Sequence, residues 1–183
     1  MKIKITSDST CDLSQELADR YGVTIVPLYV NMDSKPLRDQ VDVVPQDVFD
    51  YFDRTGELCF TSACNIGEYL DIFTELRKEY DAVIHISISS EFSSTHQNAV
   101  LAAQELDNVY VVDSRNLSSG HGYLVIHASE MAAEGMDASD IVNRLKAEVD
   151  KVDVSFILDQ LEYLRKGGRC SSVAALGANL LKL

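Results

Sequence analysis

The sequence predicts an α/β protein in which a parallel sheet is flanked by helices on both faces. Short runs rich in Ile and Val alternate with stretches of helical spacing. Capping and turn residues stand between them, and strands joined through helices of ten or more residues form a parallel sheet by right-handed crossovers. Strands are expected at Lys2 to Thr6, Val23 to Val30, Ala82 to Ile88, Val109 to Val112 and Val154 to Leu158. Helical spacing links Leu13, Leu17 and Tyr21, then Ile66, Tyr69, Leu70 and Phe73, then Ile141, Leu145 and Val149. Asp12 is read as the cap of the first helix, with Gly22 after it. Pro45 suits the first turn of another helix, and Gly56 and Gly135 follow two more.

At 183 residues the chain fits one main domain plus a remnant better than two complete domains. An apolar fraction of 46% with 25% charged residues is that of a chain able to bury a core. Asp and Glu outnumber Lys and Arg by 29 to 16, and a net charge of -13 repels phosphate backbones and anionic lipid surfaces, so nucleic acid is not an expected partner. No apolar stretch approaches a membrane span, and the expected compartment is the cytoplasm. Cys11, Cys59, Cys64 and Cys170 show no CxxC spacing, and the four histidines no ligand spacing, so free thiols and no metal are expected. His85 lies within the apolar run AVIHISI and reads as a hydrogen-bonded strand histidine.

In an open parallel sheet the binding crevice lies beyond the carboxyl ends of the strands. The segments there are rich in hydroxyls: Ser7 to Thr10, Ser89 to Thr95, Asp113-Ser114, and Thr61-Ser62 before a further helix. A helix cap accounts for any one of them. Capping needs one hydroxyl per helix, however, and Ser89 to Thr95 supplies five hydroxyl-bearing residues beside a helix N-terminus, which suits a small anion such as a carboxylate or phosphate. Neither a P-loop nor a GxGxxG turn is present, so nucleotide binding has no motif. Tyr163 to Arg169 reads as a helix end with Arg165 and Lys166 complementing the dipole and Gly167 as the cap, and it gathers three cations in an acidic chain.

Taken in order, the motifs resemble the DegV family along all 183 residues. Thr6-Ser7-Asp8-Ser9-Thr10-Cys11-Asp12-Leu13 resembles the family's opening TDSTSDL, and Ile25-Val26-Pro27-Leu28 its I-x-P-L strand. Phe60 to Glu68 stands where the family has TSQPSPGE, and Ile88 to Ala99 where it has ISSxLSGTYQSA. Val112-Asp113-Ser114 resembles its VIDS, and Tyr163 to Arg169 its YLRKGGR.

The resemblance implies a two-domain protein that encloses one long-chain fatty acid, with no cofactor. A separate ATP-dependent fatty acid kinase phosphorylates the bound carboxylate, so the chain is a carrier and substrate-presenting subunit, not an enzyme. The carboxylate-binding serine of the family carries over to Ser93 and the threonine of its TS pair to Thr61, with Ser62 and Ser94 as neighbours in the ligand site. Neutral hydroxyls hold a carboxylate without neutralising it, which leaves an oxygen able to attack a phosphoryl donor. Arg165, Lys166 and Arg169 are read as the surface that docks the kinase. Ser94 stands where the family has glycine, His96 where it has tyrosine, and Cys64-Asn65 where it has Pro-Ser.

The resemblance also places a DegV-like domain at residues 1–152 and the incomplete start of a second α/β domain at 153–183, the chain being shorter at its C-terminus than the family pattern. The apolar helical stretch from Val173 to Leu183 is expected to be covered, by a homodimer or by folding back. Two other functions stay open. A phosphotransferase related to dihydroxyacetone kinases would use His96 or His121, and a lipid-free interaction fragment would bind only a partner protein.

Overall fold

The computed structural model describes residues 1–157 and 161–168. The chain divides into two compact units, one formed by Met1–Tyr29 and Ala63–Val154, the other by Val30–Ser62 and the chain from Ser155. The first unit holds a four-stranded parallel sheet. Its strands are β1 (Ile3–Asp8), β2 (Thr24–Val26), β6 (Ala82–Ser87) and β7 (Val109–Asp113), in the order β2-β1-β6-β7.

Alternation along the strands sorts two cores onto opposite faces. Ile5, Ile84 and Ile86 pack with α5 (Ser118–Ala133) and α6 (Ala138–Glu148), through Leu124, Ala128, Ile141 and Leu145, while Cys11, Leu13 and Val23 around α1 (Gln15–Arg20) join the same core. Val83 faces the other way with Tyr69 and Phe73 of α3 (Ile66–Arg77) and Ala99 and Ala102 of α4 (Thr95–Ala103). Phe73 is fully buried, and its truncation to alanine would cost about 3–5 kcal/mol.

The predicted strand Val23 to Val30 is two strands. Pro27 has no N–H for a ladder, so β2 stops at Val26, and β3 (Tyr29–Met32) joins a separate three-stranded sheet with β4 (Lys35–Arg38) and β5 (Phe60–Ser62), in the order β4-β3-β5. Asp12 does not cap α1. It sits in the left-handed region at φ 52° after a single 3₁₀ turn, Ser9–Cys11, and the cap is Ser14, whose hydroxyl accepts from Leu17 N–H. Residues 152–157 form no strand; Val154 instead packs against the start of α5 beside Gly120, and Leu158 lies outside the described residues.

Within the second unit, α2 (Pro45–Thr55) has Pro45 in its first turn, and Asp47 accepts from Val44 N–H. Gly56 ends this helix at φ 70°, as expected of a left-handed cap. The Phe52 ring meets Tyr163 edge-on at 5.5 Å. Tyr163 belongs to the short α7 (Glu162–Lys166), which Gly167 closes by donating to the Tyr163 carbonyl. No helix among the described residues is long and apolar enough to cross a membrane.

His85 is the strand histidine the sequence predicted, fully buried, with Nδ1 2.9 Å from the Thr6 hydroxyl and the Tyr69 and Phe73 rings around it. Burial pushes its pKa down from 6.5 to about 4; Asp8 opposes the shift, and His121 and His96 add to it. A histidine lowered in the folded state stabilises fully above its unfolded pKa, and that contribution is lost as pH falls toward the folded value. Urea denaturation of wild type and His85→Asn at pH 7 and pH 5 should show wild type losing about 2 kcal/mol more than the variant on acidification. Equal losses would contradict this assignment.

Candidate functional site

The strand order reverses direction between β1 and β6, since β1 leads leftward to β2 and β6 rightward to β7. The two connections leave on opposite faces, the arrangement in which parallel sheets bind ligands at the carboxyl ends of such a pair. Register brings Ser7 opposite Ile86 and Ser87 opposite Asp113, so the ends of three strands share one edge.

Asp8 forms the floor of this edge. It is fully buried, and one oxygen accepts from Thr10 N–H at 3.1 Å and from the Thr10 hydroxyl at 2.5 Å, while the other accepts from Ile88 N–H at 2.7 Å. Ser9 accepts from Leu28 N–H. The first hydroxyl cluster is therefore mostly internal bracing: Ser7, Asp8 and Ser9 are buried and engaged, and the proton of Thr10 goes to Asp8.

His121, in the first turns of α5, is also fully buried. Its Nε2 lies 3.0 Å from the Ile86 carbonyl and 2.9 Å from the Ser7 hydroxyl, and its Nδ1 lies 3.4 Å from Thr10 Oγ1. A carbonyl can only accept, so Nε2 carries the proton. Ser7, His121, Thr10 and Asp8 thus have the composition of a nucleophile, base and acid, but His121 has no lone pair on the nitrogen facing Ser7, and both side chains are closed to substrate. The flanking glycines make this placement possible. A methyl group at Gly122 would stand 2.6 Å from the Cys11 carbonyl oxygen, and one at Gly120 would stand 2.5 Å from Asn116 Oδ1.

The second hydroxyl cluster is more open. Ser90 and Ser94 are exposed and Ser93 is half-buried. Ser93 N–H donates to the Ser89 carbonyl, and its hydroxyl accepts from Thr95 N–H at 3.2 Å. Ser93 thus caps α4 while keeping its own O–H to donate, so the capping and ligand readings coexist. Ser94, where the family pattern has glycine, has φ -71° and makes no side-chain cap bond, so a side chain fits there without backbone strain. His96 Nδ1 lies 2.8 Å from the Ser87 hydroxyl, which donates onward to the Val112 carbonyl. Asn65 caps α3 in a reciprocal pair with Glu68, and Cys64 is buried, which accounts for the change from Pro-Ser.

Thr61 and Ser62 lie on β5, in the second unit, whereas Ser93 and Ser94 belong to the first. Asn31, which sequence reasoning did not single out, braces β5 by donating to the Phe60 carbonyl and the Ser62 hydroxyl. Arg165 and Lys166 are exposed on α7, and the positive φ of the glycine pair falls at Gly168, not at Gly167. Arg169, Cys170 and Val173 to Leu183 lie outside the described residues. Among the described residues no cluster of His, Cys, Asp or Glu is arranged to hold a metal. Cys11, Cys59 and Cys64 are free, and burial pushes the Cys64 thiol up to about 12, away from nucleophilic chemistry.

A family model described as "Uncharacterised protein, DegV family" matches residues 2–183. A DegV domain-containing protein of Caldanaerobacter subterraneus subsp. tengcongensis is 34% identical over 100% of this chain and 65% of its own length, and one of Staphylococcus aureus is 34% identical over 98% and 64%. The chain thus spans slightly less than two thirds of these relatives. A structure titled as fatty acid binding of a DegV family protein from Thermus thermophilus superposes with a TM-score of 0.88 at 34% identity, covering 100% of this chain and 66% of that one. DegV from Bacillus subtilis, titled a fatty acid binding protein, gives 0.85 at 29% identity, covering 97% and 64%.

The glycine contact carries a test. Gly122→Ala should lower stability by about 1–3 kcal/mol, because the Cys11 carbonyl must retreat from the added carbon. In a histidine NMR spectrum the His121 signals should move with it. An unshifted His121 at wild-type stability would contradict the close approach.

Proposed function

The chain belongs to the DegV family, and on that premise we propose that it binds a long-chain fatty acid and presents the carboxylate to a separate ATP-dependent kinase for acyl-phosphate formation. The observation that carries this reading is the open, hydroxyl-bearing turn Ser89–Ser94 at the switch point of a sheet whose structural relatives are titled as fatty acid binding proteins. Ser93 and Thr61 are the proposed carboxylate contacts, with Ser62 and Ser94 beside them. Hydroxyls suit the chemistry, because an ionised carboxylate held by neutral donors keeps a lone pair for attack on the γ-phosphorus of ATP. The chain then acts as carrier, in the cytoplasm, and the kinase supplies the catalytic machinery. Arg165 and Lys166, with Arg169, would steer an acidic surface of that kinase toward a protein of net charge -13.

The test is extraction of lipid from protein purified from bacteria, followed by titration of the delipidated protein with oleate. Co-purified fatty acid and saturable oleate binding are expected, and Ser93→Ala and Thr61→Ala should each weaken binding about tenfold, the loss of one hydrogen bond to a charged group. A lipid-free protein that binds no oleate would overturn the reading, and wild-type affinity in both variants would move the head group elsewhere. With kinase and ATP added, reversing Arg165 and Lys166 to Glu should slow association at low salt and leave oleate affinity unchanged.

A further inference from the structure

We infer that Asp113 is a positioning residue for the hydroxyl turn, holding Ser93 in its binding geometry from the neighbouring strand; the inference rests on the fatty-acid reading above. Ser89–Ser94 has little packing of its own, since Ser90, Glu91, Phe92 and Ser94 are all exposed. Such a segment stays ordered only if its backbone is tied down, and ordering it at the moment of binding would weaken affinity. The ties come from the end of β7. Asp113 Oδ1 accepts from Ser90 N–H at 3.2 Å and from Arg115 N–H at 2.9 Å, so one carboxylate oxygen joins the turn after β6 to the turn after β7.

Arg115 needs that support, because it is a non-glycine residue at φ 50°. Its conformation is braced further by Asn116 N–H, which donates to the Ser114 hydroxyl. Two links then cross between the turns. Ser89 N–H donates to the Asn116 carbonyl at 3.0 Å, and the Arg115 guanidinium meets Glu91 at 2.8 Å. The ion pair is exposed and contributes little alone. Asp113 matters more, because it fixes both the turn that carries Arg115 and the amide of Ser90. From Ser90 the order passes to Ser93, whose N–H is held by the Ser89 carbonyl and whose hydroxyl is aligned by Thr95 N–H.

Wild type, Asp113→Ala and Asp113→Asn should be compared by hydrogen–deuterium exchange over residues 88–94 and by oleate titration. We expect Asp113→Ala to speed exchange in this segment at least tenfold while β1 and β6 stay protected, and to weaken oleate binding at least tenfold. Asp113→Asn keeps an acceptor oxygen and should stay within threefold of wild type in both readouts. Unchanged exchange in Asp113→Ala, exchange that rises equally across the sheet, or a looser turn with wild-type oleate affinity would each overturn the inference. If wild type binds no oleate, the fatty-acid reading falls, while the exchange comparison still decides whether Asp113 orders the turn.

Discussion

The carboxylate of Asp8 is the contact on which the rest of this edge depends. At the switch point β1 and β6 run side by side and then part, which leaves Ile88 N–H and the 3₁₀ turn after Asp8 without ladder partners. A buried amide without an acceptor costs more than an ordinary hydrogen bond contributes, so something must fill the gap. Asp8 fills it from one side chain, taking Ile88 N–H on one oxygen and both donors of Thr10 on the other. A serine or threonine could not span both directions, because it has a single oxygen. The direction of the chain leaving β6, and with it the start of the Ser89–Ser94 turn, follows from that bond.

The hydroxyls of this edge divide by burial. Those at the end of β1 and just after it serve the fold, where Ser7 and Ser9 are engaged with buried groups. Of those following β6, Ser90 and Ser94 are exposed, Ser89 and Thr95 are buried, and the half-buried Ser93 both accepts from the helix behind it and retains a proton. His121 belongs to the first set. Its proton is fixed toward the Ile86 carbonyl, so this one of the two histidines considered for the phosphotransferase reading is part of the packing between α5 and the sheet. His96 is joined to Ser87, whose hydroxyl is itself buried.

Much of the architecture was legible because its physical causes are local. The apolar runs at β1, β6 and β7 and the spacing of Tyr69, Phe73, Ile141 and Leu145 follow directly from burial on two faces. What sequence reasoning missed was either a local signal passed over, as at Pro27, or a consequence of partners distant in the chain. Val23 to Val30 looks continuous in hydrophobicity, and only the missing N–H of Pro27 divides it between two sheets. Nothing in Asp12 itself distinguishes a helix cap from a left-handed residue ending a 3₁₀ turn. The first turns of α5 carry Gly120-His121-Gly122, poor for a helix by propensity, yet these glycines are required where the helix approaches the Cys11 carbonyl and Asn116. His121 was named from the sequence as a candidate histidine, and the pair of glycines around it was the available signal for its close packing. Residues such as Asp113 and Asn31, which bind backbone amides and carbonyls across loops, leave no periodic trace in the sequence.

A structure of the oleate-loaded protein is the most direct test of the claim that the carboxyl ends of β1 and β6 receive a carboxylate. The account predicts a head-group oxygen about 3 Å from the Ser93 hydroxyl, with Asp8 still bonded to Ile88 and Thr10 and taking no part in binding. A head group bound away from the Ser89–Ser94 turn, or the methyl end of the chain lying against Ser93, would contradict it.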